Sequence, residues 1–191
     1  IMELCRGGNV HVVCGNCDDW CIIFRQDEQM DEHLMHYIMH KKRGILWDML
    51  NAAGLDLFET GSFTACKREI ARAFEPEWRF LASLPHAIET ENFIFAHAAV
   101  DPDKPLREHT VEDLLRCDHF MTLGRSFEKW VVVGHYPVQL YGTDKVCANP
   151  IVDRGHKIVS IDGACVLKDD GQLNALILRR GKFTSEWYDP F

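Results

Sequence analysis

Short apolar runs alternate with segments of helical periodicity along much of the chain, and this alternation limits the fold more than any other feature. The runs at residues 9–14, 93–96 and 131–133 are rich in Val, Ile and Phe, which is typical of buried strands. Apolar residues recur at helical spacing over residues 27–53 and 66–84. The class is therefore α/β or α+β, with either a mixed sheet or a two-sheet β sandwich flanked by helices.

Turn and capping residues refine this pattern. We predict that Gly44 separates two helices, that Gly54 ends the second, and that Pro76 interrupts the helix over residues 66–84. Thr110, with Asp113 three residues later, indicates another helix start. Further strands are predicted over residues 157–161, 173–178 and 182–187, with a hairpin turn at 168–171.

Composition excludes several classes of protein. The 191 residues, 47% hydrophobic and 26% charged, suit one globular domain over residues 1–191. No apolar run approaches the roughly 20 residues that span a bilayer, and the first ten residues do not resemble a signal peptide. We therefore expect a cytoplasmic protein with no membrane partner, and reduced thiols for its eight cysteines.

The net charge of −8 argues against a nucleic-acid partner, because phosphate backbones need concentrated Lys and Arg. It leaves a phosphate substrate open, since metal ions can supply positive charge. The first eight residues look like the last turns of a helix that ends at Gly7 or Gly8. We therefore expect the chain to be a fragment that lacks residues upstream of Ile1.

A polar residue able to bind metal follows each of three apolar runs. Asn16 follows the run at residues 9–14, and His97 and His135 follow the next two after a small residue. Ligands in open α/β sheets bind beyond the carboxyl ends of the strands, so the three side chains are predicted to converge. Imidazole nitrogen and amide oxygen suit manganese, iron or zinc.

Four motifs extend this pattern, and they occur in one order along the chain. They read GNCD at residues 15–18, FAHAAV at 95–100, GHYP at 134–137, and IDGACV at 161–166 followed by GQL at 171–173. The series resembles the calcineurin-like metallophosphoesterases, especially the branch of serine/threonine protein phosphatases and bacterial diadenosine tetraphosphatases. The motifs of that branch read GNHE or GNHD, then HAG, GHTP and IDxGxV.

The resemblance implies a two-sheet β sandwich flanked by helices and incomplete at its N-terminus. It implies a metal-dependent phosphoester hydrolase, similar to a protein phosphatase, with two divalent ions of manganese, iron or zinc. One ion would be held by Asn16, His97 and His135. The other would depend on upstream motifs, GDxHG and GDxxDRG, that this chain lacks, so that the chain as given builds half a site. The ions would bind the phosphate of a phosphorylated protein or small molecule and activate a water that attacks phosphorus.

The resemblance also assigns roles around the metals. Cys17 stands where the family has the His that serves as general acid, and a thiol is the poorer proton donor. Asp18 and Asp19 either steer Cys17 or a metal-bound water, or else Asp18 caps the loop and Asp19 is solvated, which is the favoured prediction. Arg116 and Arg125 lie where the family often places a phosphate-binding Arg, although either can form an ordinary surface ion pair.

Several other readings stay open. Cys14, Cys17 and Cys21 have spacings that a zinc or iron–sulfur site can use, and a redox CxxC is less favoured because the segment does not look like a helix start. A helical stripe of His33, His36 and His40 is more typical of a surface than of a metal site. Asp162 ends a predicted buried strand, and we favour a structural hydrogen-bonding role for it over metal binding. Alternative functions are a dinucleoside polyphosphate hydrolase, a phosphodiesterase, or a non-catalytic module that keeps the fold; the sequence leaves the oligomeric state open.

Overall fold

A computed structural model describes residues 1–26, 44–55, 63–142, 147–167, 171–179 and 182–187. Within these ranges the chain is mixed α/β, with six α-helices and seven strands. Its internal contacts divide it into two compact units, Ile1–Leu84 and Pro85–Phe191. None of the described helices is long and apolar enough to cross a membrane.

The first unit is helical in the ranges that the structure describes. Its helices are α1 (Met2–Arg6), α2 (Asn16–Gln26), α3 (Ile45–Ala52), α4 (Phe63–Ala73) and α5 (Glu75–Ala82). Apolar residues three or four apart place one stripe of each long helix in a shared core. Phe24, Leu50, Ile70 and Trp78 are almost fully buried in this core.

The predicted helix boundaries are confirmed where the structure describes them. Helix α1 ends at Gly7. Helix α3 begins after Gly44 and ends just before Gly54, and these last two glycines have positive φ. Pro76 lies in the first turn of α5, where its missing N–H has no intrahelical acceptor in any case. Residues 27–43, including the stripe of His33, His36 and His40, lie outside the described ranges.

The prediction of a strand over residues 9–14 is wrong. These residues form no regular structure, and only Cys14 among them is buried. Apolar β-branched residues favour a strand only where a neighbouring strand completes the hydrogen-bond ladder. Helix α2, which the sequence reading missed, begins directly afterwards at Asn16.

The second unit contains a five-stranded mixed sheet. Its strands are β1 (Ala87–Glu89), β2 (Phe93–Ala96), β3 (Trp130–Val133), β4 (Ile151–Asp153) and β5 (Ile158–Ser160), in the order β1-β2-β3-β5-β4. The central strands β2, β3 and β5 are parallel, and both edge strands run antiparallel to them. The short edge strands β1 and β4 were not predicted.

Both faces of this sheet are buried. Phe93, Val132 and Val159 share one face and form a core cluster, while Val131 and Ile158 on the opposite face are fully buried. This explains why the central strands read as continuous apolar runs. A fragment of this fold is expected either to leave a gap in its sheet or to fill that gap from elsewhere; among the described strands, each is hydrogen-bonded to its neighbour.

A separate hairpin of β6 (Asn174–Arg179) and β7 (Lys182–Trp187) confirms the last two predicted strands. Leu176 of β6 packs against the core cluster of the five-stranded sheet. Most of the predicted turn at 168–171 lies outside the described ranges.

The capping signal at Thr110 is confirmed. Thr110 and Asp113 form a capping box at the start of α6 (Val111–Leu115). Short 3-10 helices follow at Phe120–Leu123 and, after β3, at Val138–Tyr141.

Candidate metal centre

The two candidate histidines of the second unit follow neighbouring parallel strands. His97 comes directly after β2, and His135 follows β3 after one glycine. Because the strands pair with Phe95 opposite Val132, their carboxyl ends meet at the same edge of the sheet. The N–H of Gly134 donates to the carbonyl oxygen of His97 at 2.9 Å, which ties the two loops together. The backbone thus holds the two histidines side by side.

The imidazole rings face each other through nitrogen atoms. The Nε2 atom of His97 lies 3.1 Å from the Nδ1 atom of His135, and the rings meet edge to face with centroids 4.9 Å apart. Two ligands bound to one tetrahedral ion at about 2.0–2.1 Å would be roughly 3.3 Å apart. The ring nitrogens therefore need little movement to share an ion.

Burial sets the protonation of His97. It lowers the pKa of His97 to about 4, and the proximity of His135 acts in the same direction. His97 is therefore neutral near pH 7, with a lone pair on one ring nitrogen. Neutral imidazole is the form that binds metal ions.

The chemistry of the two donors fits a transition-metal ion, but two imidazoles make only part of a site. Within the described ranges, no group of three or more His, Cys, Asp or Glu side chains lies close enough to hold an ion. Asn16, the third predicted ligand, is the first residue of α2 and belongs to the first unit. Its share in a metal site stays a prediction.

Cys17 and Asp18 lie in the first turn of α2. The Oδ2 atom of Asp18 accepts a hydrogen bond of 2.8 Å from the N–H of Gly15, so the capping role predicted for Asp18 is confirmed. Burial raises the pKa of Asp18 against that hydrogen bond. Asp19, predicted to be solvated, is instead buried, with 7% of its surface exposed.

The thiols of this segment do not resemble a redox pair. Helix α2 begins at Asn16, so the prediction that this segment is not a helix start is wrong. However, partial desolvation and then the charge of Asp18 raise the pKa of Cys17, although this residue is exposed, and burial raises the pKa of Cys21. Reactive redox cysteines typically show the opposite shift.

No protein-family model and no curated protein matches this chain. The metallophosphoesterase family therefore stays a resemblance carried by four motifs.

Arg116 and Arg125 line one cleft of about 310 Å³ in the second unit. Arg116 is paired with Glu112 at 2.8 Å and Arg125 with Asp103 at 2.7 Å, so the predicted ion pairs are confirmed. Phe120 and Leu123 add apolar surface to the cleft. A role in phosphate binding stays a prediction for both arginines.

The structural role favoured for Asp162 is confirmed. Its Oδ1 atom accepts from the N–H of Ala164 at 2.8 Å, and its carbonyl oxygen accepts from the N–H of Val138 at 2.9 Å. Asp162 thus ties the loop after β5 to the segment that follows His135.

Sequence reasoning missed Asp118 as a neighbour of the histidines. Its Oδ1 atom lies 3.3 Å from the Nε2 atom of His135. The residue belongs to no motif and no periodic segment, so only its position between the two histidine motifs could have suggested it. Cys117, directly before it, lines the cleft of the two arginines.

Proposed function

We propose that this protein is a metal-dependent phosphoester hydrolase in which His97 and His135 bind one divalent ion. The observation that carries the proposal is the pair of facing ring nitrogens, 3.1 Å apart, beyond the ends of two parallel strands. The low pKa of His97 supports the same role, because it keeps the ring neutral and able to bind an ion. Asn16 is proposed as a third ligand, and manganese, iron or zinc as the metal.

Bound divalent ions would polarise the phosphoryl oxygens and provide a nucleophilic water near neutral pH. His97 and His135 would hold one ion, and a second would need ligands beyond the residues named here. Arg116 and Arg125 are proposed to contact phosphate oxygens across the cleft. Each would then exchange its present carboxylate partner for the more highly charged phosphate.

The fold that we propose is the two-sheet β sandwich of the metallophosphoesterases. The contact of Leu176, in the β6–β7 hairpin, with the cluster around Val132 supports a second layer on that face of the main sheet. The burial of both sheet faces is compatible with this architecture.

The thiol of Cys17, which stands where the metallophosphoesterases have a His, favours a second candidate, the hydrolysis of phosphoanhydrides such as dinucleoside polyphosphates; its pKa is raised further. A thiol with a raised pKa is a weak acid and gives little help to an alkoxide leaving group. The leaving group of an anhydride departs without a proton. Among protein phosphate, phosphodiester and dinucleoside polyphosphate substrates, we therefore favour those whose leaving group needs the least help from a general acid.

The test is turnover of p-nitrophenyl phosphate, its bis ester and a dinucleoside tetraphosphate by the full-length protein with added Mn²⁺. We expect Mn²⁺-dependent turnover that falls at least ~100-fold in His97→Ala and His135→Ala, because each removes a ligand. His156→Ala is the matched control, since His156 pairs with Asp153 at 2.7 Å near the start of β5, at the opposite edge of the sheet. Equal activity in all three variants would contradict the proposal.

A further inference from the structure

Residues 117–119, here called the clasp loop, contact the loop after β3 at two successive positions. The Oδ1 atom of Asp118 lies 3.3 Å from the Nε2 atom of His135. The Nε2 atom of His119 lies 3.2 Å from the hydroxyl of Tyr136, and the two rings are 4.4 Å apart between centroids. Two successive residues of the clasp loop thus contact two successive residues of the loop after β3.

The backbone explains how the clasp loop presents both side chains. Successive side chains of an extended chain point to opposite sides. His119 instead has a left-handed conformation, with φ of 59°, and begins the 3-10 helix Phe120–Leu123. Its carbonyl oxygen accepts from both the N–H and the hydroxyl of Thr122. The turn that begins at His119 is thus held by hydrogen bonds of its own.

Each ring nitrogen of His135 faces a different partner. Nδ1 faces the Nε2 atom of His97, whereas Nε2 faces the carboxylate of Asp118. In a neutral imidazole one nitrogen carries the proton and the other the lone pair. A carboxylate can only accept, so it favours the proton on the nitrogen that it faces. The lone pair of His135 is then on Nδ1, toward His97.

We infer that Asp118 is a positioning residue, which accepts the Nε2–H of His135 and thereby fixes the ring with its Nδ1 lone pair directed toward His97. The inference rests on the proposed function for its purpose, since that lone pair is the one a shared ion would use. Partners of this kind typically change metal affinity about 10–100-fold. The side chain of Asp118 is 69% exposed, so water weakens the contact and we expect the lower end, about 10-fold.

The first measurement needs no metal. In ¹⁵N NMR of the metal-free protein at mildly alkaline pH, His135 should be held in the Nε2–H tautomer. Asp118→Ala should give a mixture with the Nδ1–H form, in which His135 donates to His97. Asp118→Asn should largely restore the wild-type tautomer, because its amide oxygen also accepts. An unchanged tautomer in Asp118→Ala would overturn the inference, whatever the metal does.

The second measurement is Zn²⁺ affinity by calorimetry. Asp118→Ala should weaken binding about 10-fold. Glu128→Ala is the matched control, because Glu128 is another exposed carboxylate but precedes β3, at the opposite edge of the sheet from His135, and it should bind as the wild type does. Equal affinity in Asp118→Ala and Glu128→Ala would overturn the positioning role. If wild type and His135→Ala bind Zn²⁺ equally, the proposed function fails, and the tautomer still decides the inference.

Discussion

His97 and His135 show how far single residues can be placed from sequence. Both could be expected at one edge of the sheet, because each follows a buried strand and parallel neighbours end together. Asp118 could not, since its contact with His135 depends on the turn at His119, whose left-handed backbone no motif predicts.

Cys17 gives a prediction about leaving groups. Its thiol has a raised pKa and stands where the metallophosphoesterases that the chain resembles have a His that protonates the leaving group. General acid help is typically worth ~100- to 10,000-fold. We therefore expect Cys17→His to accelerate phosphoserine hydrolysis far more than hydrolysis of p-nitrophenyl phosphate, whose leaving group needs no proton.

The measurement is kcat/KM for both substrates, with Cys17→Ser as the control for loss of the thiol alone. The serine variant should leave the ratio of the two rates near that of the wild type. If Cys17→His changes both rates by the same factor, Cys17 only packs near the site and its assignment is wrong.

Asp113 gives a prediction about pH. Its hydrogen bond with Lys104, followed by its bonds with Thr110, lowers its pKa to about 2. A carboxyl whose pKa is lower in the folded than in the unfolded protein stabilises the fold above the unfolded value of about 3.9. That contribution is lost as the pH falls from about 4 through about 2.

Carboxyl ¹³C NMR titration measures this pKa directly. Lys104→Met should raise the pKa of Asp113 toward its ordinary value, while the Thr110 bonds keep it somewhat low. Lys129→Met, which breaks a different Lys–carboxylate pair with Glu89, should leave it unchanged. A wild-type Asp113 that titrates at its ordinary value would contradict the account.

At the scale of elements, the sequence predicted the helices with a long periodic pattern and the strands that are buried on both faces. Strands β2 and β3 were predicted because a strand buried on both sides reads as a continuous apolar run. The run at residues 9–14 looked the same, but none of the strands that the structure describes pairs with it. Helix α2 was missed, although Cys21 and Phe24 at helical spacing and two acidic residues in the first turn indicate it.

The loop after β5 gives a prediction about packing. A Cβ added at Gly163 would overlap the carbonyl oxygen of Gln172, because the two backbones pass in close contact there. The N–H of Gln172 also donates to the carbonyl oxygen of Gly163 at 2.9 Å. We expect Gly163→Ala to lower the free energy of unfolding by about 1–3 kcal/mol, which is the typical cost of overpacking.

Urea denaturation checks this value. Gly155→Ala is the control, because a Cβ there would come no closer than 3.4 Å to Asp153 and the backbone φ is not positive. That variant should stay within about 0.5 kcal/mol of the wild type. Equal stability of the two variants would show that the loop after β5 relaxes freely.

At the scale of the whole molecule, the predicted mixed α/β class is confirmed, and the extent of one domain over residues 1–191 stays a prediction. The sequence could place the two candidate ligands His97 and His135 side by side, because one sheet carries both. Asn16 belongs to the other compact unit, so the sheet that carries the histidines does not test its predicted role as a third ligand.

The central claim is that His97 and His135 share one divalent ion, and an anomalous difference map tests it most directly. Crystals of the protein grown with Zn²⁺ should show a peak about 2.0–2.2 Å from the Nε2 atom of His97 and the Nδ1 atom of His135. The oxygen of Asn16 is expected as a third ligand. Zinc peaks only at other side chains, such as His156 or the exposed Cys147 and Cys165, would contradict the account.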